Sequence, residues 1–127
     1  MMKLLVVDDS SVIRKVIKAA ADVLQLETLE AEDGIEALEK LAAHYQETDL
    51  VLLDWNMPEM NGYDVLVEIK TNDKYKHIPV MMVTTEGQQS SIVAAVRAGA
   101  DNYLVKPFAV EELETKIVEC LGLAGEF

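Results

Sequence analysis

Leu50-Val51-Leu52-Leu53-Asp54-Trp55-Asn56-Met57-Pro58-Glu59-Met60-Asn61-Gly62 is the stretch on which the fold turns. Its opening Leu50–Leu53 run is apolar without interruption and shows no polar face, the pattern of a strand buried on both sides. Pro58 and the Asn61-Gly62 pair then mark a loop. A carboxylate, Asp54, therefore stands at the carboxyl end of a fully covered strand. Covering both faces takes helices above and below, and hence a parallel sheet joined by crossovers.

The flanking sequence repeats that unit. Upstream, Leu4 to Val7 is a second unbroken apolar run, and Ser10-Ser11 supplies a helix start before Ile13, Val16, Ile17, Ala20 and Leu24 recur at helical spacing. Glu27 to Ala31 reads as a strand whose polar residues suit a sheet edge. Gly34 to Tyr45 reads as a helix with Leu38, Leu41 and Tyr45 inward. Downstream, a helix is predicted over Tyr63 to Lys70 and a buried strand over Pro79 to Val83, with Pro79 at its first position. After a Thr84 to Gly87 loop, a helix runs from Gln88 to Ala98 with Gly99 as its cap. Asn102 to Val105 is the fifth strand. Val110 to Leu121 is the last helix, with Val110, Leu113, Ile117 and Leu121 inward. The result is an α/β chain with a single-domain, doubly wound (βα)5 pattern, a five-stranded parallel sheet and right-handed crossovers. The 127 residues fit one domain, with no linker or repeat, and the chain closes soon after the last helix, so no output domain is expected.

Charge narrows the partners. Lys and Arg number 11 against 23 Asp and Glu, a net −12, which repels phosphate backbones and anionic lipid. Neither nucleic acid nor membrane is expected as a partner; basic protein surfaces and divalent cations are. A single cysteine, Cys120, excludes an internal disulfide and falls on the apolar side of the last helix, where it reads as a small core hydrophobe. The apolar start, Met1 to Val7, is too short for a signal peptide, and no run approaches the roughly 20 apolar residues of a membrane span. The expected location is cytoplasmic. Met57, Met60, Met81 and Met82 read as packing rather than ligands, and His44 and His77 are isolated.

In an open parallel sheet, ligands bind beyond the carboxyl ends of the strands. The residues at those stations are Asp8 and Asp9 after the first run, Asp54 after the third, Thr84 after the fourth and Lys106 after the fifth. Singly, each has a bland explanation. Paired Asp residues cap helices, a Thr ends strands, and a Lys before proline is solvated. Their joint placement on one edge is what points to chemistry. Crowded carboxylates repel each other unless a hard cation intervenes, and Mg²⁺ accepts one or two carboxylates together with waters and a phosphate oxygen. A neutralised carboxylate can then attack phosphorus. The transferring group spreads its charge over equatorial oxygens that need cations and donors, here Mg²⁺, Lys106 and the Thr84 hydroxyl. A cis Lys106-Pro107 bond could aim the lysine inward, although trans is the commoner isomer. Tyr103, two residues before Val105, is either core or a side chain that swings.

Val6-Val7-Asp8-Asp9-Ser10, Leu53 through Gly62, Val83-Thr84-Thr85 and Lys106-Pro107-Phe108 together resemble the response-regulator receiver domains over the whole length of the chain, with all stations filled in order. The Asp54-Trp55-Asn56-Met57-Pro58 run and the pair Asn56 with Glu86 are most similar to stand-alone chemotaxis regulators of the CheY type. The resemblance implies a flavodoxin-like strand order, 2-1-3-4-5. It implies that Asp54 accepts a phosphoryl group from the phosphohistidine of a sensor histidine kinase in two-component signalling, with Lys106 and Thr84 holding the phosphoryl oxygens. It implies Mg²⁺, or Mn²⁺, on Asp9, Asp54 and the Asn56 backbone carbonyl, with Asp8 acting through water. Thr84 and Tyr103 would form the switch that remodels the face of the fourth helix, fifth strand and fifth helix, with Ile92, Val96, Tyr103 and Lys116 on it; ordinary helix packing accounts equally well for Ile92 and Val96. Asn56, Glu86 and Thr85 would modulate the phosphoryl lifetime, Thr85 being bulkier than the Ala or Gly common there. The implied output is a flagellar motor switch protein, met by a monomer that can dimerise on phosphorylation. Such a protein is not a conventional turnover enzyme; it catalyses its own phosphorylation and dephosphorylation. A phosphorelay intermediate or phosphate sink keeps the same fold and chemistry. An aspartyl phosphatase would carry an Asp-x-Asp pair after the first strand, whereas here the pair is adjacent, and no phosphate-binding loop for a nucleotide is present.

Overall fold

The computed structural model describes residues 1–122. The expected absence of an output domain bears on residues 123–127 as well, which lie outside the described residues. The elements are β1 (Lys3–Val7), α1 (Ser11–Val23), β2 (Glu27–Ala31), α2 (Gly34–His44), β3 (Leu50–Leu53), α3 (Gly62–Thr71), β4 (Val80–Thr84), α4 (Gln89–Arg97), β5 (Asn102–Val105) and α5 (Val110–Leu121). All strand pairs are parallel, in the order β2-β1-β3-β4-β5. The polar β2 occupies an edge, as its composition requires.

The apolar runs divide between two cores because successive side chains leave a strand on opposite faces. Leu5, Val7, Val51, Leu53 and Met82 join Leu41, Leu66 and Ile69 on one side. Leu4, Val6, Leu50, Leu52, Met81 and Val83 join Ile17, Leu113 and Ile117 on the other. Both cores are fully buried, so a strand such as Leu50–Leu53 tolerates no polar position. At about 1.5–3 kcal/mol for each fully buried large aliphatic side chain, these two layers supply the main drive to fold.

Short polar side chains set the starts of α1, α2 and α3, whereas α4 and α5 begin without a side-chain cap. Ser10 Oγ accepts from the Ile13 amide at 3.3 Å, Asp33 Oδ1 from Glu36 at 2.8 Å and Asn61 Oδ1 from Asp64 at 2.9 Å. Gly99, at φ 110°, follows α4, a conformation that favours glycine. The structure departs from the sequence reading at three points. The helix expected to reach Tyr45 ends at His44 and tightens into a 3₁₀ turn, Tyr45–Glu47, where the Thr48 hydroxyl donates to the His44 carbonyl at 2.8 Å. Pro79 precedes β4 rather than opening it, and Thr84 belongs to the strand, paired with Val105. Val110, expected inward, is exposed, because a periodic stripe identifies a face but not where the layer beneath it stops. The Lys106–Pro107 peptide is cis. No helix among the described residues is long and apolar enough to cross a membrane.

Candidate functional site

The carboxyl edge gathers the acidic groups predicted to meet there. Carboxylate oxygens of Asp8, Asp9 and Asp54 lie within 4.8 Å of one another. Asp8 and Asp54 are buried, at 2 % and 7 % exposure, while Asp9 is exposed. Burying two like charges side by side is unfavourable without a counter-charge. Lys106 supplies one: its Nζ donates to Asp8 Oδ2 at 2.7 Å and to Asp54 Oδ2 at 3.3 Å.

Each strand end delivers its group through backbone pairing. The Asp8 amide donates to the Ala31 carbonyl and the Asp54 amide to the Val7 carbonyl, so both acids continue the ladder beyond their strands. The Lys106 amide donates to the Thr84 carbonyl at 2.8 Å. Gly62 closes the loop after Asp54, its amide donating to the Trp55 carbonyl at 2.8 Å. A Cβ at Gly62 would stand 1.9 Å from the Asp54 carbonyl oxygen, so only glycine allows α3 to begin this close to the acid.

The carboxylates are not equivalent. Both oxygens of Asp8 have donors, the Ser10 amide on Oδ1 at 2.9 Å and Lys106 on Oδ2. Asp54 Oδ1 accepts from the Trp55 amide at 2.7 Å and, among the described residues, Oδ2 accepts only the longer lysine bond. Among the described residues, no donor holds the Asp9 carboxylate. The set thus offers one free carboxylate, one lightly held and one fully engaged. Hard anionic oxygens at this spacing fit a small divalent cation such as Mg²⁺, with Asp9 and Asp54 as the available direct ligands.

Thr84, Glu86 and Tyr103 form a second group on the adjoining loop. Thr84 is fully buried, and its Oγ1 accepts from the Glu86 amide at 3.2 Å. The Tyr103 hydroxyl donates to the Glu86 carbonyl, and Ser91 Oγ donates to Glu86 Oε1 at 2.9 Å. Burial, then the charges of Glu86 and Asp54, push the Tyr103 phenol above its ordinary range. Among the described residues, no hydrogen bond joins the Thr84 hydroxyl to the carboxylates. Asn56 and Thr85 are exposed on the loops that follow β3 and β4. Trp55 stacks on Tyr63, ring centroids 5.4 Å apart. Val96 and Val105 are exposed at 56 % and 39 %, Ile92 is half-buried, and Lys116 donates to Asn102 Oδ1 at 3.3 Å. Exposure of Val96 removes core packing as its explanation. Sequence reasoning missed the Ser91–Glu86 bond and the Gly62 contact, since both depend on how the loops lie over the strand ends.

A profile of the response regulator receiver domain matches residues 4–118. The chemotaxis protein CheY1 of Helicobacter pylori is 48 % identical over 122 residues, covering 95 % of this chain and 98 % of that protein. Among solved structures, chemotaxis protein CheY4 of Vibrio cholerae superposes with a TM-score of 0.88 at 34 % identity, over 95 % of this chain and 99 % of that one. A CheX-CheY-BeF3-Mg complex from Borrelia burgdorferi matches with a TM-score of 0.88 at 28 % identity, over 93 % and 87 %. With the site geometry and these likenesses in agreement, the chain belongs to the response regulator receiver domain family, among its CheY-like members.

Proposed function

We propose that this protein is a chemotaxis response regulator that takes a phosphoryl group onto Asp54 from the phosphohistidine of a sensor histidine kinase. The observation that carries the reading is the inequality of the three acids: Asp54 is buried, held by one amide and one ammonium, and adjacent to a carboxylate that has no donor among the described residues. An Asp54 oxygen attacks phosphorus, the P–N bond breaks, and its electron pair leaves on the imidazole nitrogen. The Trp55 amide orients the carboxylate for that attack. Lys106 then meets the charge that develops on the phosphoryl oxygens, and the Thr84 hydroxyl donates to another. Asp9, Asp54, the Asn56 carbonyl and Asp8 would hold a divalent cation, Mg²⁺ or Mn²⁺, which would neutralise charge between the acid and the phosphoryl group. Asn56, Thr85 and Glu86 border the site and tune how fast water reaches the acyl phosphate.

Drawing the Thr84 hydroxyl toward a phosphoryl oxygen alters its bond to the Glu86 amide, and with it the loop whose carbonyl receives Tyr103. The change passes to the α4-β5-α5 face, where Val96 and Val105 offer apolar contact. The partner there is a downstream chemotaxis protein, a flagellar motor switch component. The protein acts in the cytoplasm as a monomer that can pair when phosphorylated. Trp55 fluorescence tests the site: it should shift on adding Mg²⁺ and again on adding beryllofluoride, and Asp54→Ala should abolish the second shift. A second shift of equal size in Asp54→Ala contradicts the assignment.

A further inference from the structure

Arg14 sits one turn into α1, where a long cationic side chain would ordinarily point into solvent. Its side chain is instead 15 % exposed. Nη1 donates to the backbone carbonyl of Asp8 at 2.7 Å, and Nε donates to Glu30 Oε1 of β2 at 2.9 Å. The β1–β2 ladder ends at the Asp8 amide, which donates to Ala31. The Asp8 carbonyl is the next acceptor on that side, and the guanidinium takes the place of a strand partner.

Every polar atom of Asp8 is then committed: the amide to Ala31, the carbonyl to Arg14, one carboxylate oxygen to Ser10 and the other to Lys106. Asp9, attached to the carbonyl that Arg14 holds, has no donor of its own among the described residues. Its position relative to Asp54 is inherited from the Asp8–Asp9 peptide. We propose that Arg14 is a positioning residue for the cation site, clamping that peptide between α1 and β2 so that the Asp9 carboxylate stays within reach of Asp54. This rests on the reading that the acids share a divalent cation. The planar guanidinium reaches two acceptors lying in different directions, whereas a lysine ammonium on a flexible stem holds neither in a fixed plane. The guanidinium engages the carbonyl and Glu30 rather than the cluster carboxylates, so it orders the ligands without competing with the cation for them.

The test is a Mg²⁺ titration followed by Trp55 fluorescence on wild type, Arg14→Met, Arg14→Lys and Glu30→Gln, with a thermal melt of each. Phosphorylation by acetyl phosphate is measured across the same Mg²⁺ range. Loss of a group that orients a metal ligand costs about 10–100-fold in metal affinity, so Arg14→Met should raise the Mg²⁺ half-saturation at least about tenfold. Its rate at saturating Mg²⁺ should return close to that of wild type, a split that general loosening of the fold would not produce. Arg14→Lys should fall between the two, and Glu30→Gln, which keeps an acceptor for Nε, should stay near wild type. Should Arg14→Met fail to fold, Arg14→Lys decides, and a wild-type half-saturation there overturns the proposal. Equal half-saturation in wild type and Arg14→Met, or a lowered plateau with unchanged half-saturation, overturns it while leaving the cation site intact. No Mg²⁺ response in wild type overturns the cation reading and this proposal with it.

Discussion

Gly62→Ala tests how closely Asp54, the proposed acceptor, is tied to the start of α3. The added Cβ would stand 1.9 Å from the Asp54 carbonyl oxygen, 2.8 Å from its carbonyl carbon and 2.9 Å from Trp55 Cα. All three are backbone atoms, so no rotamer change relieves the clash. Restoring ordinary contact needs about 1.5 Å of movement, by α3 or by the strand end that carries Asp54. Overpacking of this kind costs about 1–3 kcal/mol, and a clash wholly with backbone belongs at the upper end. For a chain of this size, each kcal/mol corresponds to roughly 4 °C, so the melting temperature should fall by about 10 °C. A displacement of about 1 Å at a reacting group can also cost about a hundredfold in rate. The assays are a thermal melt by circular dichroism and phosphorylation by acetyl phosphate. Gly87→Ala is the control, because its nearest neighbour is the Val105 side chain at 3.2 Å, which can yield. A Gly62→Ala protein that melts and reacts like wild type would show that α3 can start here without glycine and without disturbing Asp54.

Lys106→Met leaves two buried carboxylates without their ammonium, a loss of about 3 kcal/mol at the low end for a broken buried pair. Mg²⁺ at a hundredfold excess over its Kd should return about 2.7 kcal/mol; chemical denaturation with and without Mg²⁺ measures both, and an unchanged midpoint in the metal-free variant contradicts the pairing. Tyr103 has its phenol raised by burial first, so the folded state favours the neutral form. Its contribution is fully present below the ordinary pKa of 10.0 and is lost as pH rises from there through the folded value. The urea midpoint of wild type should therefore fall more steeply than that of Tyr103→Phe in the alkaline range, and parallel curves would count against it. Burial likewise pushes the Cys120 thiol up, so alkylation at neutral pH should be much slower in the native protein than in urea; equal rates would contradict the packing of Cys120 against the α1 and α5 core.

Much of this architecture is legible from runs of a few residues. Leu4–Val7 and Leu50–Leu53 announce buried strands because strands covered on both faces admit no polar position, and the polar Glu27–Ala31 announces an edge for the converse reason. Asp8, Asp9, Asp54 and Lys106 are legible as a set because equivalent positions on parallel strands converge at one edge. Arg14, Ser91 and Gly62 are not legible in the same way. An arginine or serine on the polar side of a helix looks solvated, and a glycine after asparagine looks like a turn residue. Their partners are a carbonyl, a loop carboxylate and a strand-end backbone that come near only when the layers pack. Val110 shows the opposite limit, since its periodicity is right but the core does not extend beneath it.

If Asp54 becomes an acyl phosphate, intact-protein mass spectrometry after incubation with acetyl phosphate will detect it. The wild type in Mg²⁺ should gain one phosphoryl group that hydroxylamine removes, while Asp54→Asn, or the wild type with Mg²⁺ chelated, should gain none. An equal gain in Asp54→Asn, or undiminished labelling of the wild type under chelation, would contradict the account.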